Sequence, residues 1–276
     1  MEKRKCVQFL RPEEIIYYRE KTSLIYLPVG PLEWHGPHLP FGVDPLRAEI
    51  AAIRLAEETD GIVLPTLFVG TERERSPEML KNIGFKGDEY IVGMDFPENT
   101  LKSLYFKEEI FSLILRNYLE LIIDVWEFKN IVIVNGHGAE NHKAVIERLK
   151  NEFCATRNVK ILHIMPMLDF VYGIFHSGHA TKEETETLMA YYPESIDLKK
   201  LPERPIPLYN TKYAIVDDPT FNGKPSKDFT VREEEDPRDS DRERGKAIFE
   251  ETIRQLKEFI LKEIEGEKNE REKDKK

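Results

Sequence analysis

"IVIVNGHGAENHKAVIERL", residues 131–149, decides the fold. Four apolar residues rich in Val and Ile run without a polar break into a glycine-bearing turn. A stretch with helical spacing follows at once, its apolar positions at Val145, Ile146 and Leu149. A short, fully apolar strand feeding a helix is the repeating unit of a parallel sheet covered on both faces. Working outward, the same alternation recurs. "SLIYLPV" (23–29) reads as a strand followed by the helix "PLRAEIAAIRLAEE" (45–58), and "GIVLPT" (61–66) reads as a second strand. A long helix over 106–128 leads into the 130–134 strand, and "NVKILHI" (158–164) precedes a helix over 182–192. The pattern predicts a three-layer α/β/α fold with a mostly parallel central sheet. Residues 67–100 and 195–240 are rich in Gly, Pro and charge and read as loops laid over the sheet edge. One domain over residues 1–264 is expected. Its last helix (240–264) docks one face through Ile253, Leu256 and Ile260, before a charged, disordered tail over 265–276 with nothing to bury.

Bulk composition narrows the function. The 276 residues are 40% hydrophobic, enough for a sizeable core, and the formal net charge is −10. That charge argues against nucleic acid or an anionic membrane as partner, because phosphate binding needs clustered Lys and Arg. Cys6 and Cys154 stand alone, which suggests neither a disulfide framework nor a cysteine zinc site. The amino-terminal residues lack an apolar leader core. The most apolar long window, 110–126, carries Arg116, Glu120 and Asp124, so no membrane span is expected and a cytoplasmic location is the default.

The chemistry gathers where strands end, since ligands of open α/β sheets bind beyond the strands' carboxyl ends. The first strand runs into "PVGPLEWHGPHLPFGVDP" (28–45). Glu33 and His35 are one residue apart, so in extended chain both side chains point the same way. The surrounding prolines stiffen the loop, and Asp44, preceding Pro45, is expected to be extended with its carboxylate turned back on the pair. Carboxylates with neutral imidazoles and no thiolate suit Zn, Mn or Fe. The 131–149 unit adds His137, with Glu140 at the helix start. Its G-H-G-A-E-N imitates half a dinucleotide fingerprint, but the third glycine is replaced by Asn141 and the next strand ends without an acidic residue, which argues against a Rossmann cofactor. No G-x-S-x-G occurs and Ser177 lacks an elbow context. A third cluster, "FHSGHATKEETETLMA" (175–190), holds His176, His179 and three glutamates, Glu183, Glu184 and Glu186, near a helix start, where acidic residues also serve the helix dipole. His38 is read as hydrogen-bonding within the ligand loop, His142 as solvated or functional, His163 as a satisfied core histidine, and Trp126 as core or subunit interface. Asn135 and Asn141 are read as fixing the His137 loop. Arg73 and Arg75 read as an exposed run pairing with Glu72 and Glu74, ahead of a phosphate or carboxylate site.

Together the three segments resemble the creatininase (creatinine amidohydrolase) family. Its opening signature is similar to "EWHGPHLPFGVD" (33–44) from end to end, its second segment to "NGHGAEN" (135–141), and its third to "HATKEET" (179–185). The resemblance implies a site for two divalent metal ions (Zn, Mn or Fe) that hydrolyses the C–N bond of a small-molecule amide by a hydroxide held between them, often in a homohexamer. Carried over by position, Glu33 and His137 would bind one metal and His35 the other, with Asp44 bridging both. Where creatininase proper has a glutamate after the second-segment histidine, this chain has Ala139. Glu184 is therefore expected to complete the second site, with Glu140 as the fallback. His179 matches the histidine that donates or accepts the substrate's proton. The tryptophans that enclose creatinine are missing, Trp34 and Trp126 being the only two, and "MLDFVYGIF" offers Phe170, Tyr172 and Phe175 in their place. A member other than creatininase proper is thus implied, acting on a cyclic amide, a formamide or a related amide. The alternative is a catalytically inactive nucleotide- or small-ligand-binding member of the fold.

Overall fold

The computed structural model describes residues 5–174, 178–221 and 223–273, with side chains to residue 266. Its strands are β1 (Leu24–Val29), β2 (Ile62–Val63), β3 (Asn130–Asn135) and β4 (Lys160–Ile164). The helices are α1 (Pro12–Lys21), α2 (Val43–Thr59), α3 (Pro77–Asn82), α4 (Glu108–Glu120), α5 (Glu140–Thr156), α6 (Lys182–Tyr191), α7 (Asn210–Tyr213), α8 (Asp218–Phe221) and α9 (Arg242–Lys273). The sheet is parallel throughout in the order β2-β1-β3-β4.

Each strand is apolar on both faces because each face meets helices. Ile25, Leu27, Val29, Ile131, Ile133 and Ile161 pack with Phe111, Leu115 and Leu119 of α4 and Val145, Ile146, Leu149 and Phe153 of α5. The alternate residues Leu24, Tyr26, Val132, Val134, Leu162 and Ile164 pack on the alanine-rich face of α2 and on Phe249, Ile253, Leu256 and Ile260 of α9. This period of two through every strand makes the three layers. Each large side chain so buried stabilises the fold by about 1.5–3 kcal/mol.

The connections place the site. From β1 the chain moves to β2 on one side, then returns to β3 on the other, so the order reverses between β1 and β3. Their carboxyl ends lie side by side, Val29 in register with Asn135. That crevice is where an open α/β sheet receives a ligand. Two glycines let α2 close over it. A Cβ at Gly136 would sit 2.0 Å from the Asp44 carbonyl oxygen, and one at Gly30 would sit 2.9 Å from the Asp44 Cβ.

Several expectations need correction. Asp44 is not extended: it occupies the first turn of α2, where Pro45 is tolerated because that turn's N–H groups have no helical partner to lose. The long helix stops at Glu120 and unwinds through a π turn over Leu121–Val125. The first helix, α1, was not read, and it buries no residue fully. At the other end, α9 spans Arg242–Lys273, its Glu and Lys being good helix formers. Residues 67–100 and 195–240 carry only short helices and turns, as read. Among the described residues no helix is long and apolar enough to cross a membrane.

Candidate metal centre

Glu33, His35, Asp44, His137, His179 and Glu184 come together at the β1/β3 crevice, and all but Glu184 are fully buried. After β1 the chain is pinned when Glu33 N–H donates to the Phe41 carbonyl at 3.0 Å. It turns at Gly36, whose φ of +69° favours glycine. After β3 the Asn135 side chain clamps the next loop from both sides, accepting from His137 N–H at 2.9 Å and donating to the His137 carbonyl at 2.8 Å. Behind it, Asn135 meets His163, which meets Glu147 at 2.7 Å. His179 is fixed by paired backbone bonds to Val216 of 2.7 and 2.9 Å.

The donor atoms sort into three sets, Glu33 with His35 and His179, Glu33 with Asp44 and His137, and His35 with Asp44 and Glu184, the last two sharing Asp44. Asp44 Oδ2 is 2.9 Å from His137 Nδ1, which is 3.4 Å from Glu33 Oε2. The other oxygen, Asp44 Oδ1, is 3.2 Å from His35 Nε2, which is 3.8 Å from Glu184 Oε2. Separations of this size approach the ~3.3 Å edge of a tetrahedron with metal–ligand bonds of about 2.0–2.1 Å. His35 Nε2 is buried without a well-aligned hydrogen-bond partner although Asp44 Oδ1 lies 3.2 Å away. Oxygen and imidazole donors of this kind fit Zn, Mn or Fe. The cluster brings three carboxylates against one guanidinium, that of Arg47.

Electrostatics show the same appetite for positive charge. Burial opposes ionisation of Glu33, but His137 and His179 hold its carboxyl down to about 2. Burial likewise opposes charge on Asp44, yet His35 and His137 depress its carboxyl further still. Burial works against a charged His35, and Asp44 with Glu184 and Glu33 overrides it, raising the imidazole to about 9. His137 is raised in the same way, against burial, by Glu33 and Asp44. His179 differs: burial first, then His35, push it down to about 3. Its Nε2 donates to the Trp34 carbonyl at 2.7 Å, which turns Nδ1 towards Glu33 Oε2, 3.9 Å away. Its ring lies 4.3 Å from that of His35, centroid to centroid.

The chain matches the creatininase family, described as creatinine amidohydrolase, over residues 9–260. It belongs to the creatininase family. Solved structures with the same fold include a creatinine amidohydrolase (creatininase) at 21% identity and a TM-score of 0.65, covering 95% of this chain and 99% of that one. A manganese creatininase is similar at 20% identity and a TM-score of 0.65, over 94% of this chain and 98% of that one. A zinc–zinc form of a variant creatininase aligns at 20% identity and 0.65, over 95% and 99%. No curated protein matches the chain. At this distance it is a member of the creatininase family other than creatininase proper.

Within that family frame, the sequence expectations divide. Glu184 stands with His35 and Asp44, whereas the fallback Glu140 is exposed and ion-paired with Arg73. Arg75 does pair with Glu72, at 2.7 Å, but the partner of Arg73 is Glu140 and not Glu74. His38 reaches out of its loop to α6, donating from Nε2 to the Thr185 hydroxyl at 3.1 Å, because that hydroxyl itself donates to the Thr181 carbonyl. His142 is not solvated: it is buried, stacked on Phe111, edge-on to the His137 ring at 5.2 Å between centroids, and accepts from Thr71 N–H. Asn141 reaches towards Thr71 and Glu108, so of the two asparagines it is Asn135 that holds the His137 loop. Trp126 packs, half-buried, on the core, as one of its two readings had it.

The aromatic enclosure expected from Phe170 and Tyr172 is not formed. Phe170 packs on the α2/α9 core and Tyr172 is exposed, while Phe175, His176 and Ser177 lie outside the described residues. A cavity of about 660 Å³ opens onto Glu33, Asp44, His137 and His179, and its apolar wall is Met79, Met94, Met165, Met167 and Phe221. Two residues touching the cluster carry no motif. Tyr105 donates its hydroxyl to Glu33 Oε1, and Arg47 donates to Glu184 Oε1 at 2.9 Å. Arg47 lies three residues after Asp44 on α2, so helical spacing was the available signal; for Tyr105 there was none.

Proposed function

We propose that the chain is a dinuclear metal-dependent hydrolase that cleaves a C–N bond of a small-molecule amide, such as a cyclic amide or a formamide. The observation that carries this is Asp44, whose two oxygens face different imidazoles, His137 and His35, each with a further glutamate beside it. Glu33, His137 and Asp44 Oδ2 would hold one divalent cation, and His35, Glu184 and Asp44 Oδ1 the other. Such a pair supplies, when bound, a water ionised near neutral pH and a Lewis acid for the amide carbonyl.

The chain's own residues do the rest. The strand-end loops fix the donors before substrate arrives, so little ordering is left for the reaction. His179 presents Nδ1 to the cluster with Nε2 tied to the Trp34 carbonyl, the tautomer that takes a proton at Nδ1 and returns it to the leaving nitrogen. The methionine-lined wall receives the body of the amide and limits water around it. A homo-oligomer, a hexamer by resemblance, belongs to the same reading. Ile110, Leu113, Leu121 and Val125 support it, forming an exposed apolar stripe on the side of α4 and its π turn away from the core.

An amide and formamide screen on protein reconstituted with Zn, Mn or Fe tests the function, with Glu33→Gln as the inactive control. Turnover abolished by chelation and by that substitution is expected. Ligand-induced thermal stabilisation without turnover in any metal form would contradict it.

A further inference from the structure

Both glutamates that flank the cluster are gripped, through the oxygen turned away from it, by a residue that is not itself a donor of the cluster. Glu33 has Oε1 tied by the Tyr105 hydroxyl while Oε2 faces His137 Nδ1 at 3.4 Å, nearer than His35 Nε2 at 3.8 Å. Glu184 has Oε1 tied by Arg47 Nη1 at 2.9 Å while Oε2 faces His35 Nε2 at 3.8 Å. In each case one carboxylate oxygen is tied away from the cluster and the other faces it, the facing oxygen of Glu184 also accepting from Ala180 N–H at 2.7 Å. Neither grip is incidental packing. Tyr105 is held in turn, its oxygen accepting from Met94 N–H at 3.3 Å, and a Cβ at Gly93 would fall 2.4 Å from that oxygen, so the loop leaves room for it. The Arg47 side chain is 7% exposed, a rare place for a guanidinium, and it rides on the same helix as Asp44. Its Nη2 also reaches Glu183 and the Pro166 carbonyl, both at 3.5 Å, which fixes its plane.

We infer that Tyr105 and Arg47 are paired positioning residues, each presenting one glutamate through a single oxygen, so that Tyr105 governs the cation beside His137 and Arg47 the cation beside His35. This rests on the dinuclear reading above. Its content beyond that reading is the division of labour: each residue acts on one cation and spares the other. Residues that orient metal ligands typically contribute about 10–100-fold in metal affinity. Arg47 also brings a positive charge near its cation, and the inference requires that aiming Glu184 outweigh that repulsion.

The test loads the full-length chain with zinc and measures retained equivalents against a graded chelator. Wild type is compared with Tyr105→Phe, Arg47→Gln and Arg47→Lys, and anomalous difference density in crystals of each reads which position is depleted. Tyr105→Phe is expected to weaken the Glu33/His137 cation by about 10–100-fold and leave the other within about twofold. Arg47→Gln is expected to do the mirror image, with Arg47→Lys recovering part of the loss. Both variants keeping two equivalents at wild-type affinity, both sites weakening together in either variant, or a tighter second site in Arg47→Gln would each overturn the inference. Wild type that holds no zinc overturns the dinuclear reading itself and this inference with it. Wild type with two equivalents leaves the variants to judge the inference alone.

Discussion

Substituting Asp44 by Asn removes one charge, keeps the shape, and puts an N–H group against either His137 Nδ1 or His35 Nε2, which sit 2.9 and 3.2 Å from the two carboxylate oxygens. Because the two sets proposed to hold the cations share this residue, the substitution should abolish both sites rather than one. A ligand present at a hundred times its Kd stabilises the folded state by about 2.7 kcal/mol. In a domain of this size each kcal/mol moves Tm by roughly 2–4 °C. One cation should therefore raise Tm by roughly 5–10 °C, and two by roughly 10–20 °C. Differential scanning fluorimetry of chelator-treated and zinc-loaded protein reads this directly. Wild type should show the full shift, and Asp44→Asn a shift of less than about 3 °C on the same scale. The metal-free variant should itself melt a few degrees lower, since losing a buried charge-assisted hydrogen bond costs about 1–3 kcal/mol. A zinc-dependent shift in Asp44→Asn equal to that of wild type would refute the shared-carboxylate reasoning.

Other outcomes follow from the same geometry. His179→Gln should lower kcat by about 10²–10⁴ with both cations retained by elemental analysis; loss of metal instead would make His179 a ligand. Gly136→Ala should cost several kcal/mol in urea unfolding, because the new Cβ meets the Asp44 carbonyl oxygen at 2.0 Å and backbone must move; wild-type stability would mean that α2 does not approach β3 so closely. In metal-free protein His35 has its folded pKa raised to about 9 against an ordinary 6.5, so the folded state binds the extra proton. Its stabilisation is complete below about pH 6.5 and is lost as pH rises through 9. Urea titrations should show chelated protein losing stability over that window while zinc-loaded protein does not, and a flat metal-free profile would contradict the assignment. Glu140→Gln should leave metal content unchanged, since Glu140 is exposed and paired with Arg73.

The layers of the fold were legible because their determinant is local. The apolar strands and amphipathic helices announced a covered parallel sheet, because burial on both faces writes itself into consecutive residues such as Ile131–Val134. The Glu33-x-His35 alternation did put both side chains on one side, with Oε2 and Nε2 3.8 Å apart. What could not be read depends on which distant segments meet. Tyr105 reaches Glu33 across 72 positions of chain, and Arg47 reaches Glu184 across 137. His38 looked local and is bonded 147 positions away, to Thr185. The helical Asp44 was misread because a rule for the residue before proline holds less firmly in a helix's first turn. The cavity wall was misassigned for a related reason: Met79 and Met94 come from segments read only as loops, and no local pattern said which loop folds over the crevice.

Zinc-edge anomalous diffraction from crystals of the metal-loaded wild-type chain tests the account most directly. Two peaks per chain are predicted, one on each side of the Asp44 carboxylate at about 2.0–2.2 Å from its oxygens, one beside Glu33 and His137 and the other beside His35 and Glu184. A single peak, or peaks that leave Asp44 touching only one of them, would contradict it.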